Sequence, residues 1–350
     1  METGEFTAST SHIALIVPGF PKDEADTNCL PAVHLFALEL AKKVERVSIF
    51  ALHYPFSTRP YTWNGIDVYP QNGANKLWKR QLTLFTSLRR SMDYVNRLHP
   101  IHVLHAMWLN EGSFYGLRLS HKWGLPLVMT AHGQDVFPAN RYLQSIIQSN
   151  KEIFCLSEFQ KGFLQKAGCK NPNVIEWGTR VAEIESSRTI DLLAVGNLIL
   201  LKNTSYVLDV CAALKAKGKA VKAVVIGEGP EDTRLRAKVV ELHLEDVVEL
   251  RGACSHEDAL KAISSARVLV HASAYEGFGM VLIEALAAGT HVLSTPVGIA
   301  FGNKNIHPLS MKVEEDAEVL GTLLEMEQPA PFLYSIQTTV ERYLKIYAGA

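Results

Sequence analysis

The sequence predicts an α/β protein made of two doubly wound, Rossmann-like units, each with a parallel sheet. Three observations carry this expectation. Short apolar runs alternate with longer amphipathic ones along most of the chain, the rhythm of strand–helix–strand units. The rhythm breaks over the polar stretch TRVAEIESSRTI (179–190) and then restarts, as at a linker. A chain of 350 residues that is 47% apolar can fill two cores of ordinary size.

The first series opens with the strand-length run HIALIV (12–17), followed by helical spacing over Ala32–Val44 and the run VSIFAL (47–52). Further strands are expected at Ile101–His105, Leu125–Thr130, Ile153–Ser157 and Asn173–Glu176, with a helix over Glu158–Ala167. The second series places strands at DLLAVG (191–196), AVVIG (223–227), VVELRG (247–252), VLVHAS (268–273) and HVLSTP (291–296). Helical patterns separate them at Ser205–Lys217, Glu231–Leu242, Asp258–Ile263 and Gly279–Ala288. The expected boundaries are 1–180 for the first unit, 190–330 for the second, and 331–350 for a C-terminal helix returning to the first. Val340, Tyr343, Leu344 and Tyr347 give that last segment its helical period. Open parallel sheets bind ligands beside the carboxyl ends of their strands, so a crevice there is where chemistry is expected.

Composition narrows the classes. Lys plus Arg total 35 against 36 for Asp plus Glu, a net charge of −1, which gives no general attraction to nucleic acid. Any anion site is therefore local. The five cysteines are scattered, without paired metal-ligand spacing, which favours reduced thiols in a cytoplasmic protein. The start lacks the basic and apolar segments of a signal peptide, and no run approaches the roughly 20 apolar residues of a spanning helix.

The most informative segment is ASAYEGFGMVLIEALAAGT (272–290). Gly277 and Gly279 flank Phe278 in a loop between a strand and an apolar helix starting near Met280, whose free amides suit a diphosphate. The helix dipole adds about 0.3–1 kcal/mol when exposed, and up to about 2 when partly buried. Glu284 follows Glu276 by eight residues on that apolar helix, where a lone carboxylate is costly without hydrogen bonds. The two donors of a ribose diol would supply them, while Glu276 could hold hydroxyls of a sugar. The structural alternative is a solvated Glu276 and a Glu284 that caps a neighbouring backbone.

This segment resembles the donor-site signature of the retaining glycosyltransferases of family 4, which have the two-domain architecture called GT-B. VGNLILLKN (195–203) resembles the family's strand–Gly–Arg–loop–Lys element, in which Arg and Lys neutralise the donor diphosphate; Gly196 and Lys202 match, and Asn197 stands where the Arg usually does. AVVIGEGPEDTRL (223–235) resembles the family's GxGP loop with Gly227, and Arg251 falls where relatives pass backbone beside the nucleobase. LHAMWLNEGSFYG (104–116) and VMTAHGQDVF (128–137) resemble acceptor-side elements. The resemblance makes His132 the histidine near the reacting sugar carbon, with Asp135 a candidate to orient it and His105 a further acceptor-side residue. Gly19 alone stands for the adjacent glycines that relatives carry after the first strand, and VGIAFGNKN (297–305) lacks their Pro-Glu pair.

The resemblance implies transfer of a sugar from a nucleotide-diphosphate donor to a glycan, lipid-linked or small-molecule acceptor, with retention, in polysaccharide or glycolipid synthesis. His132, Glu276 and Lys202 are the expected catalytic residues. No metal or other cofactor is expected, since no Asp-x-Asp pair is present. The rivals are a sugar-nucleotide epimerase on the same fold and a non-catalytic nucleotide-sugar-binding subunit. KLWKRQLTLFTSLRR (76–90) has five basic and no acidic residues. It reads either as a solvated helix with an apolar inner side or as a contact with an anionic membrane at the cytoplasmic face, through Trp78 and Phe85.

Overall fold

A computed structural model describes residues 7–74, 79–180 and 187–349. The chain divides into one unit of residues 1–177 plus 336–350 and another of 178–335.

The first unit is an eight-stranded sheet: β1 (His12–Gly19), β2 (Arg46–Tyr54), β3 (Tyr61–Trp63), β4 (Ile66–Pro70), β5 (Val103–Met107), β6 (Leu127–Thr130), β7 (Ile153–Cys155) and β8 (Asn173–Val174). Their order is β3-β4-β2-β1-β5-β6-β7-β8. Every pair is parallel except β3–β4. The interior strands are buried on both faces, as in β5, where all five residues are enclosed, because helices cover both sides of a parallel sheet. Those helices are α1 (Pro31–Ala41), α2 (Lys79–Leu98), α3 (Glu111–Trp123), α4 (Leu143–Gln148) and α5 (Glu158–Lys166). Asn110 caps α3 by accepting the Gly112 N–H at 2.8 Å, and Ser157 caps α5 by accepting that of Gln160 at 3.1 Å, so each helix begins where a side chain takes an orphan amide.

The second unit is a six-stranded parallel sheet: β9 (Ile190–Val195), β10 (Ala223–Ile226), β11 (Val248–Gly252), β12 (Ala266–His271), β13 (His291–Ser294) and β14 (His307–Pro308), in the order β11-β10-β9-β12-β13-β14. Its helices are α6 (Thr204–Ala216), α7 (Asp232–Glu241), α8 (His256–Ser264), α9 (Met280–Ala287) and α10 (Val313–Leu323). Leu192, Leu208, Val225, Val268 and Leu320 lie in one core between sheet and helices.

The last helix, α11 (Ile336–Gly349), is part of the first unit and packs on α1. Tyr343 and Tyr347 are fully buried, and Tyr343 meets Phe36 edge-on at 5.4 Å. Burying each such ring contributes about 2–3 kcal/mol.

The antiparallel β3–β4 hairpin is absent from the sequence expectation. Its signal was present: Asn64 and Gly65 sit between the strands with φ of 44° and 81°, the positive angles that an Asn-Gly hairpin turn requires. All five cysteines are free. Among the described residues no helix is long and apolar enough to cross a membrane.

Candidate active site

At the carboxyl ends of β9, β10 and β12 lies a shallow hollow, open to solvent and lined in part by Gly196, Lys202, Thr204, Ile226, His271 and Ala272. Backbone meeting backbone shapes its floor. Gly196 N–H donates to the Ile226 carbonyl at 3.0 Å and Leu198 N–H to that of Glu228 at 2.8 Å. A Cβ on Gly227 would lie 1.9 Å from the Gly196 carbonyl oxygen. Gly227 is thus glycine because two loops touch there.

Three side chains converge above this floor. Lys202, in a 3-10 turn at Leu200–Lys202, forms an ion pair with Glu276 Oε1. The same oxygen accepts from His271 Nε2 at 2.9 Å. The Glu276 side chain is only 13% exposed, so the solvated alternative does not hold. Burial alone would raise its carboxyl, but the His271 hydrogen bond and the Lys202 charge outweigh burial and hold it down at about 2. An ionised carboxylate only accepts, so His271 carries its proton on Nε2. His271 was missed in the sequence, where it reads as one more position in a buried strand.

The glycine-framed loop follows. Gly277, Phe278 and Gly279 are buried, and Phe278 meets Tyr334 edge-on at 6.2 Å. Gly279 is the N-cap of α9, in the left-handed region at φ 95°, with no side chain capping the helix. Among the described residues the Gly279 and Met280 amides find no acceptor. A buried helix start without protein acceptors leaves its donors to a ligand.

On the next turn, Glu284 is 8% exposed and receives a 2.9 Å hydrogen bond from His256 Nε2. Its partner is therefore an imidazole from α8, where the structural alternative had a backbone cap. Burial would lower the His256 pKa, but the Glu284 bond and charge raise it. Asn197 is exposed. Arg251 is exposed and spends its guanidinium on Glu249, at 2.8 and 3.0 Å, while the Gly252 carbonyl accepts the Gly227 amide at 2.9 Å.

In the first unit, the His132 ring stacks on Trp108 at 4.3 Å and meets Trp177 edge-on at 4.9 Å. Its Nε2 is enclosed without a hydrogen-bond partner among the described residues, and burial lowers its pKa to about 3. The imidazole is neutral at physiological pH. Asp135 does not orient that ring: it accepts backbone amides from Leu109 at 2.7 Å, His132 at 3.2 Å and Gly133 at 2.7 Å. It folds the turn instead, because its two oxygens are taken by the turn's own amides and by the Leu109 amide. His105, expected on the acceptor side, is 0% exposed. Its ring bonds Tyr347 Oη at 2.7 Å and Thr130 Oγ1 at 2.9 Å, because β5 is a central strand and α11 covers that face. Gly19 sits at the end of β1, where a Cβ would meet Tyr54 at 3.4 Å and Cys29 at 3.6 Å, ordinary packing distances.

One unexpected pair joins His53 Nε2 to Glu111 in the first turn of α3. Of the basic stretch, Lys76 and Trp78, and the side chains of Lys79 and Arg80, lie outside the described residues. Phe85 packs on Tyr115 at 5.2 Å, with the Arg118 guanidinium 5.6 Å over its ring.

Two glycosyltransferase families match this chain. Residues 32–180 match Glycosyltransferase Family 4, and 179–301 match Glycosyl transferases group 1. The fold is that of GT-B glycosyltransferases. Over 268 residues the chain is 25% identical to the uncharacterized glycosyltransferase YqgM of Bacillus subtilis, covering 70% of this chain and 73% of that protein. It is 28% identical over 109 residues to the phosphatidylinositol N-acetylglucosaminyltransferase gpi3 subunit of Schizosaccharomyces pombe, 31% of this chain and 24% of that one. The crystal structure of Anabaena HepE in complex with UDP and glucose shares the fold, with a TM-score of 0.67 over 95% of each chain at 16% identity. The chain spans 24–41% of the length of the first curated relatives it matches.

Proposed function

We propose that this protein transfers a sugar from a nucleoside-diphosphate sugar to an acceptor hydroxyl, with retention of anomeric configuration, in polysaccharide or glycolipid synthesis. One observation carries the reading: the buried, uncapped start of α9 lies in the same unit as Lys202, Glu276 and Glu284, next to Glu276 in sequence and one turn before Glu284. A diphosphate at that helix start would accept the Gly279 and Met280 amides and meet the positive end of the dipole, worth up to about 2 kcal/mol. Lys202 adds a charge-assisted bond of about 1.5–3 kcal/mol.

As the glycosidic bond breaks, negative charge grows on the leaving diphosphate. In this reading Lys202, already held in place by Glu276, and the helix amides stabilise that charge as pre-set dipoles. Glu276, ionised at any working pH, accepts hydroxyls of the transferred sugar, and His271 keeps it oriented. The acceptor hydroxyl attacks on the face that the diphosphate vacates and passes its proton to the departing phosphate oxygen, which retains configuration. In the first unit, His132 is neutral, so in this reading it acts as a hydrogen-bonding group and not as a charge. Lys202 and the amides balance the diphosphate charge, so no metal is required in this reading. In this reading the activity is cytoplasmic; Phe85, packed on Tyr115, supports the solvated-helix reading of its part of residues 76–90, and sedimentation with anionic liposomes at low salt would support a membrane contact instead.

The test is a thermal-shift panel of UDP, GDP, ADP, CDP and dTDP and their sugars, with and without EDTA. A ligand at 100 times its Kd stabilises by about 2.7 kcal/mol, and Glu284→Ala should reduce that shift. No shift with any nucleotide, or an unchanged shift in Glu284→Ala, refutes the donor site. A shift abolished by EDTA refutes metal independence alone.

A further inference from the structure

We infer that His256 is a positioning residue for Glu284: its imidazole holds one carboxylate oxygen so that the other is presented to the vicinal diol of the donor ribose. The inference rests on the donor reading above.

Glu284 is the one acidic residue in the α9 sequence MVLIEALA, and it is 8% exposed. Its Oε1 is occupied by His256 Nε2 at 2.9 Å. Among the described residues Oε2 has no protein hydrogen-bond partner and faces solvent, the Glu284 side chain being 10% exposed. A carboxylate offers about four acceptor positions, and those on the solvent-facing Oε2 are open to a ligand's donors. A diol supplies two adjacent hydroxyl donors, which suits an oxygen whose twin is already fixed.

His256 is itself fixed. It is the first residue of α8, a helix capped by Ser255, whose Oγ accepts the Asp258 N–H at 3.1 Å, and α8 packs directly on α9. The imidazole therefore comes from a rigid element. Without it, Glu284 could rotate away from the ligand, and the ordering would have to occur on binding. The raised His256 pKa agrees with an imidazole held by the Glu284 carboxylate.

The full chain is titrated calorimetrically with UDP and with 2′,3′-dideoxy-UDP, using wild type, His256→Ala and His256→Gln. GDP or ADP with its dideoxy form is used instead if the protein binds that base better. His256→Ala should weaken the diol-bearing nucleotide by about tenfold, the scale of one charge-assisted hydrogen bond, and leave the dideoxy nucleotide unchanged. His256→Gln, whose amide N–H can reach Oε1, should restore most of the affinity. Equal losses on both ligands, or full affinity in His256→Ala, would overturn the positioning role while leaving the donor site standing. Wild-type protein that binds none of the nucleotides would overturn both.

Discussion

Gly298→Ala tests how tightly the start of α9 is held. Gly298 has φ of 54°, and a Cβ there would lie 2.2 Å from the Phe278 carbonyl oxygen and 2.9 Å from Glu276 Cβ. Ordinary contact begins at 3.4 Å, so the Phe278 peptide must retreat by about 1 Å. That peptide immediately precedes Gly279, and its carbonyl accepts the Ile299 N–H at 2.7 Å. Two costs follow: left-handed strain of about 1–2 kcal/mol, and a stretched or broken hydrogen bond of about 1 kcal/mol. Gly302→Ala separates them, because Gly302 also has a positive φ, 74°, but nothing lies within 4 Å of its Cβ. Urea unfolding should show Gly302→Ala destabilised by strain alone and Gly298→Ala by about 1–2 kcal/mol more. A 1 Å displacement of a positioning element costs about 100-fold in turnover, so Gly298→Ala should lose donor turnover while Gly302→Ala keeps it. Equal stabilities, or wild-type turnover in Gly298→Ala, would refute the claim that this loop contact positions the helix.

Three other outcomes are expected. Lys202→Ala should weaken nucleoside diphosphate binding by about 10- to 100-fold, the worth of one charge-assisted bond, with Glu276 still held by His271; binding within twofold of wild type argues against a phosphate role for Lys202. Acid should destabilise the fold early. Burial depresses His12 to about 4 and His132 to about 3, and holds His105 well below its ordinary value. Each takes up a proton on unfolding below its free value of about 6.5, so stability falls as pH drops from about 6.5 toward 4, by about 1.4 kcal/mol per pH unit per histidine. His12→Gln should reduce that slope by up to about 1.4 kcal/mol per pH unit, read from urea unfolding, and an unchanged slope would contradict the assignment. Tyr347→Phe leaves the buried His105 Nδ1 without the hydroxyl that it meets at 2.7 Å, and should cost about 1–3 kcal/mol in the same assay; a neutral result means that the pair contributes nothing.

The alternation of apolar runs in the sequence already implied two parallel sheets, because a strand buried on both faces must be a short continuous apolar run, and the cover helices must be amphipathic. The loop from Glu276 to Met280 was equally legible, since glycines before an apolar helix can be read from a few consecutive residues. What escaped was pairing. His271 and His256 look like unremarkable strand and helix positions until the fold brings them to Glu276 and Glu284, the latter from 28 residues away. Lys202 meets Glu276 across 74 residues of chain, and His105 meets Tyr347 across 242.

His105 and Asp135 mark the boundary most sharply. The family resemblance suggested a histidine near an acceptor, and the i+3 spacing a carboxylate beside a ring. Topology instead laid α11 over one and folded a tight turn around the other. Local spacing is written in the chain, because a helix or strand needs only its own residues to declare its period. Which titratable groups become partners depends on strand order and helix docking, and these exist only once the chain has closed on itself.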